Sequence, residues 1–296
     1  MEIFSLLEAP SEKFVEIAVK KLGGNPDDYK HPHPQEDFLL QSKKYPIFVV
    51  ADGVTLIQYI LDKEPYPNPS PAGDLAKIFC QEFIEAAEAK YETFEDGDIV
   101  DFFIQANEAV RKYNTGLGRT KDTVDYWKND FYAATAAFVI IKENTVYWGS
   151  ICDSYVMGFS NGKMIFSSPQ CNALKEADGP TFTGDPNDKK AKTIFNWQTK
   201  RNGIDEQNRK IGYGVITGEK EAEKYLCSGK FDVKTGDIIT VLTDGFEDFM
   251  KSSDFTSLFI PWPADLESKI KEFTHRKSQE DPETFGHERS IIAIKF

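Results

Sequence analysis

Phe48-Val49-Val50-Ala51-Asp52-Gly53 and Ile238-Ile239-Thr240-Val241-Leu242-Thr243-Asp244-Gly245 are the stretches on which the fold turns. Each is an apolar run, rich in β-branched residues, that ends in Asp-Gly. Such a run reads as a buried strand. A strand that leaves the core delivers its next side chain, here an aspartate, to the rim of a sheet. Glycine after the acid lets the backbone turn sharply and lets a carbonyl approach a ligand closely. Trp148-Gly149-Ser150-Ile151-Cys152, leading to Asp153, is a third strand that ends in an acid. One Asp-Gly alone is a common turn dipeptide. Two of them after similar apolar strands point to converging rims of carboxylate and carbonyl oxygens, the donors that Mg2+ and Mn2+ prefer. Glu36-Asp37, directly before Phe38-Leu39-Leu40, adds an acid pair.

Working outward, Phe38–Leu40 and Ile47–Val50 read as a buried hairpin. Residues 11–22 form an amphipathic helix with Ser11 as N-cap, stopped by Gly23-Gly24-Asn25-Pro26. Pro65, Pro67, Pro69 and Pro71 make 62–74 an extended loop, and Asp74 is expected to cap a helix through about Lys90. A second helix is expected over about 98–113, followed by a polar, irregular 114–130. From 134 to 166 the strand-like runs, with an Asn-Gly turn at 161–162, read as an antiparallel meander. Residues 168–210 are polar and read as a surface, flap-like excursion with Ile194–Trp197 as a possible anchor. Strands at 231–233, 238–243 and 291–296 and a helix near 264–276 complete the pattern. Hairpins around a pair of long helices predict an α+β fold, two packed antiparallel sheets with helices outside, in a single domain spanning 1–296.

Composition bounds the function. Apolar residues make up 40% and charged residues 28%, as in folded proteins, and the length suffices for a full core. Asp and Glu outnumber Lys and Arg by 48 to 35, and the net charge of −13 disfavours nucleic acid and anionic membrane as partners. There is neither an apolar run of about 18 residues nor a basic region followed by an apolar stretch at the start. Cys80, Cys152, Cys171 and Cys227 are scattered, which predicts buried thiols in a reducing compartment, with the cytoplasm as the expected location. Neither G-x-G-x-x-G nor G-x-x-x-x-G-K-[ST] occurs, against a Rossmann or P-loop nucleotide enzyme.

The order of these features resembles the PPM, or PP2C-like, metal-dependent protein phosphatases from about Gln35 to Phe296. Gln35-Glu36-Asp37 is similar to the family's Asn-Glu-Asp, and Phe48–Val54 to its first Asp-Gly motif. Ala133-Ala134-Thr135-Ala136 is similar to its Gly-Ser-Thr-Ala strand, Ile151-Cys152-Asp153-Ser154 to its Gly-Asp-Ser, and Gly236–Phe246 to its Gly-Asp…Ser-Asp-Gly. The resemblance implies a four-layer αββα sandwich and two or three Mn2+ or Mg2+ ions. It implies that Asp52 bridges two ions, that the Gly53 carbonyl ligates one, and that Glu36 and Asp37 hold one directly or through water. Asp244 would ligate another, and Asp153 with Asp244 would form a third site. A water bridging the ions would attack phosphorus, with Asp52 and Asp244 the residues essential to catalysis and a phosphoserine or phosphothreonine protein as the substrate.

Three departures qualify the resemblance. The last motif falls on His287-Glu288-Arg289-Ser290, so either His287 or Glu288 would stand where the family has a metal aspartate. Pro32 occupies the spacing of the family's phosphate-gripping arginine, which leaves His31 and His33 as candidate phosphate contacts. Val54-Thr55 lacks the histidine expected to protonate the leaving group. The first two motivate an alternative: a catalytically impaired relative that serves as a binding or regulatory module. Oligomeric state is not legible in the sequence.

Overall fold

Side-chain alternation along the strands assigns the layers, because neighbouring strand residues face opposite ways. The computed structural model describes residues 1–29, 33–61, 64–169, 180–185 and 187–296. In chain order the elements are β1 (Glu2–Glu8), α1 (Glu12–Leu22), β2 (Asp37–Gln41), β3 (Ile47–Gly53), α2 (Ile57–Leu61), α3 (Pro71–Lys90), α4 (Asp98–Gly116), β4 (Ala134–Lys142), β5 (Thr145–Ile151), β6 (Tyr155–Ser160) and β7 (Lys163–Ser167). They continue with α5 (Lys189–Lys200), β8 (Cys227–Asp232), β9 (Ile238–Leu242), α6 (Glu247–Lys251), α7 (Ser253–Thr256), α8 (Leu266–Glu280), α9 (Pro282–Phe285) and β10 (Arg289–Lys295). The strands form two antiparallel five-stranded sheets, ordered β1-β10-β9-β6-β7 and β2-β3-β4-β5-β8.

Along β3, Ile47, Val49 and Ala51 pack with Phe79 and Phe83 of α3 and Phe102 and Phe103 of α4. Phe48 and Val50, on the other face, join Val139 of β4, Val241 of β9 and Ile292 of β10 between the sheets. The second sheet repeats the logic: Ile291 and Ala293 of β10 turn outward to Phe249, Phe255 and Ile270 of the C-terminal helices. The result is the expected αββα sandwich, with its central strands β3, β4, β9 and β10 buried on both faces.

Local signals explain several boundaries. Ser11 caps α1 by accepting from the Phe14 amide at 3.2 Å, and Gly23, at φ 91°, ends it. Helix α3 begins at Pro71, earlier than the expected Asp74, because Ser70 is the N-cap and a proline in the first turn withholds only an N–H that has no helical partner. The reading of 134–166 as one meander is corrected: β4-β5 and β6-β7 are hairpins, but β5 and β6 lie in different sheets. Doubly buried strands carry no polar face to reveal that change. The crossing passes through Cys152, whose φ is +66°. Strand β1, unanticipated, pairs along β10 and buries Phe4 and Leu6. Cys80 and Cys152 are buried free thiols, whereas Cys227 is disulfide-bonded, contrary to expectation; Cys171 lies outside the described residues. No helix among the described residues is long and apolar enough to cross a membrane.

Candidate functional site

The pleat that buries Phe48 and Val50 between the sheets places Asp52 next on the same face, where β3 runs out. Asp37 of β2 and Thr135 of β4 are its direct cross-strand neighbours. From the facing sheet, β9 runs on through Thr243 to Asp244, while β5, in the same sheet as β3, leads to Asp153 through the Cys152 turn. The inter-sheet layer therefore changes from hydrocarbon to carboxylate at one end. Both Asp-Gly glycines are fixed there by close backbone approach. A Cβ on Gly53 would lie 2.6 Å from the Ala72 carbonyl, and one on Gly245 would lie 1.9 Å from the Glu288 carbonyl oxygen.

Hydrogen bonds divide the labour of the acid pair. Thr243 donates its hydroxyl to Asp37 Oδ2 at 2.7 Å and accepts the Ser290 amide at 2.8 Å, which ties the two sheets together. Asp37 Oδ1 is buried without a partner among the described residues. Glu36, the adjacent residue, is wrapped by donors: Oε1 accepts the Tyr66 hydroxyl at 2.8 Å and the Ser70 hydroxyl, and Oε2 meets His33 Nε2 at 3.0 Å. His33 Nδ1 in turn meets the Tyr29 hydroxyl at 2.6 Å. Glu288 Oε1 gathers the Gln35 side-chain amide at 2.5 Å, the Asp37 amide at 2.6 Å and the Glu36 amide, so the loop before β10 clamps the start of β2.

The electrostatics are those of crowded anions. Burial, then Asp37, Asp244, Glu288 and Asp153, pushes the Asp52 carboxyl well above the usual carboxylate range. Burial, then Asp153, Asp37 and Glu247, does the same to Asp244. Burial, ahead of neighbouring acids, raises Asp37 to about 7 and Glu288 to about 9, and it also raises Asp153. Acids placed so close ionise together only when cations neutralise them. The ligand atoms of His33, Glu36 and Glu288 lie within 4.8 Å of one another, and this carboxylate-rich set beside an unpartnered Asp37 oxygen fits divalent ions such as Mn2+ or Mg2+.

Two cavities meet at Asp52. One, of about 400 Å3, is lined by His33, Asp52, Asp244, His287 and Glu288 together with the apolar side of α1. The other, of about 290 Å3, is lined by Asp52, Gly53, Thr135, Asp153, Trp197, Arg201 and Tyr213. Thr55 borders both. His287 borders the first, but its Nε2 meets the Glu283 carbonyl at 3.1 Å and its ring packs on Phe14 with centroids 4.0 Å apart. Burial lowers its pKa. His33 is engaged by Tyr29 and Glu36, and His31 lies outside the described residues. Sequence reasoning missed Tyr66, Ser70, Thr243 and Ser290, which orient the acids, and Arg201. The one sequence signal for Arg201 is its place before Asn202-Gly203, after a run with Ile194 and Trp197 at helical spacing.

Similarity to known proteins enters at the level of shape. No family model matches the chain, and no curated protein matches its sequence. Among solved structures, a serine/threonine phosphatase of S. agalactiae aligns with TM-score 0.60 at 13% identity, covering 99% of this chain and 97% of that one. PppA, a regulatory component of T6SS in Pseudomonas aeruginosa, aligns with TM-score 0.60 at 12% identity over 100% of this chain and 97% of that one. The chain has the PPM, or PP2C-type, fold. A further PP2C-type structure, the catalytic domain of the serine/threonine phosphatase PstP in complex with 2 manganese ions, aligns with TM-score 0.51 at 13% identity, over 99% of this chain and 96% of that one.

Proposed function

We propose that this chain is a metal-dependent phosphomonoesterase whose substrates are phosphoserine or phosphothreonine residues in proteins. What supports this most is the convergence of Asp37, Asp52, Asp153 and Asp244 from four strand ends at the open edge of the inter-sheet layer, with one Asp37 oxygen unpartnered. Asp37, Asp52, Asp153, Asp244 and the Gly53 carbonyl would hold Mn2+ or Mg2+, two or three ions in all, with Glu36 and Glu288 beside them. Divalent ions supply a Lewis acid for the phosphoryl oxygens and an acidified water as nucleophile.

The chain's own part is positioning. Thr243, fixed by the Ser290 amide, keeps one Asp37 oxygen occupied and leaves the other for a cation. The Tyr66, Ser70 and His33 partners of Glu36 and the Glu288 clamp hold the start of β2 against β10. At Val54-Thr55, where related phosphatases are expected to carry His-Gly, no histidine is present, Thr55 borders both cavities, and protonation of the leaving group falls to water or another residue. The test is hydrolysis of p-nitrophenyl phosphate with Mn2+: metal-dependent turnover abolished by Asp52→Asn and by Asp244→Asn is expected. Activity indifferent to both substitutions sinks the assignment.

The second reading, a catalytically impaired binding or regulatory module, draws on His287, which is engaged by the Glu283 carbonyl and Phe14. A folded protein with no millimolar-or-better Mn2+ binding in calorimetry would favour it.

A further inference from the structure

Arg201 forms one wall of the cavity of about 290 Å3 that Asp52, Asp153 and Thr135 also line. Only 5% of its surface is exposed. Burying a guanidinium is costly unless its charge and N–H groups find partners. Its Nη1 donates to the Phe131 carbonyl at 3.2 Å, and the cation lies 4.2 Å from the centre of the Trp197 ring. Its Nε is buried without a hydrogen-bond partner among the described residues. Asp130 feels the charge, yet that carboxylate accepts the Gln58 amide at 3.2 Å, and no ion pair joins it to Arg201 among the described residues.

Arg201 is also held in place. It ends α5, and Asn202 after it adopts φ +49°. The Asn202 side chain accepts the Val215 amide at 2.9 Å and donates to the Val215 carbonyl and to Thr217 Oγ1, each at 3.0 Å. Its backbone N–H reaches the Tyr213 carbonyl at 2.8 Å, and the Tyr213 amide reaches Lys200 at 3.0 Å. The Tyr213 side chain also hydrogen-bonds Arg201, so the spare donor among the described residues is its Nε, and this fixed cation faces a crowd of acids across a cavity.

We infer that Arg201 is the phosphoryl anchor of this site, donating from its guanidinium to an oxygen of a phosphate monoester seated between it and the acid cluster. The assignment rests on the phosphatase reading and fills the part that Pro32 leaves vacant in the sequence. A phosphoryl group suits the gap better than a carboxylate, because its three terminal oxygens face the arginine and the metal side together, whereas a carboxylate has two. Asp52 and Asp153 set the sign of the metal side, so the anion needs both walls.

Calorimetry of inorganic phosphate binding in the presence of Mn2+, on wild type, Arg201→Met and Arg201→Lys, tests this alongside p-nitrophenyl phosphate kinetics. Methionine keeps an unbranched stem over Trp197 and removes the charge. About tenfold or greater weakening of phosphate binding in Arg201→Met is expected, with partial recovery in Arg201→Lys, a matching rise in KM and unchanged Mn2+ affinity. Equal phosphate affinity in wild type and Arg201→Met overturns the anchor and leaves the phosphatase reading intact. Phosphate binding that depends on Arg201 in a wild type without turnover supports the anchor and removes the phosphatase. A wild type that binds Mn2+ but no phosphate overturns the anchor.

Discussion

The acid end of the sandwich and the Arg201 wall face one cavity, yet they are built by opposite means. Asp37 and Asp52 are placed by paired strands whose pleat decides where each side chain goes, and Asp244 follows two residues after the end of β9. Arg201 is placed at the C-terminal end of α5, and backbone bonds and the Asn202 side chain pin that end to residues 213–217. The first arrangement tolerates mutual repulsion because the sheets cannot relax away from it. The second depends on a handful of hydrogen bonds and should be easier to disturb. The expectations below separate the two.

The largest effect belongs to the acid end. Asp52→Asn should lower Mn2+-dependent hydrolysis on the order of a thousandfold if, as proposed, Asp52 ligates the ions and balances their charge. The same substitution should raise the melting temperature of the metal-free protein, because Asp52 is buried among repelling acids. A loss of both activity and metal-free stability would mean that Asp52 is structural.

pH separates the regions next. The folded-state pKa values of Asp37 and Glu288, about 7 and about 9, lie above their ordinary ones, so the folded chain binds more protons than the unfolded chain in that window. Stability contributed by the protonated acids is present at low pH and lost as pH rises through those values. Without metal, the melting temperature should therefore fall between about pH 5 and about pH 9, and saturating Mn2+ should reverse the trend. A metal-free profile that rises across this range would contradict the crowding of the acids.

At the other wall, Asn202→Ala removes bonds to Val215 and Thr217 from a buried position and should cost about 2–3 kcal/mol in denaturant unfolding. It should raise KM for aryl phosphate more than it lowers kcat. The smallest effect concerns the crossing between sheets. Cys152, at φ +66°, should accept glycine with a change of less than about 1 kcal/mol, whereas Cys152→Val should cost about 1–2 kcal/mol more. Equal stability of the two variants would show that the left-handed turn relaxes.

The same contrast explains what could be read from the sequence. Asp52 and Asp244 announce themselves because an apolar run and a following Asp-Gly are local signals, and the order of motifs implied the αββα sandwich. The crossing at Cys152 was hidden because strands buried on both faces look alike whichever sheet they join. Tyr66 and Ser70 were hidden in a proline-rich segment whose partner, Glu36, is distant in sequence. Arg201 lay in a polar stretch read as surface, and its burial comes from Trp197, Phe131 and Tyr213, none of which marks an arginine as special beforehand. Residues set by strand periodicity are legible, while those set by tertiary bridges are not.

Anomalous diffraction from crystals soaked in Mn2+ tests the central claim most directly. Peaks bonded to Asp52 and Asp244 in wild type, lost beside Asp52 in Asp52→Asn, are predicted. Well-ordered crystals with no peak at these carboxylates, or with peaks only elsewhere on the surface, would contradict it.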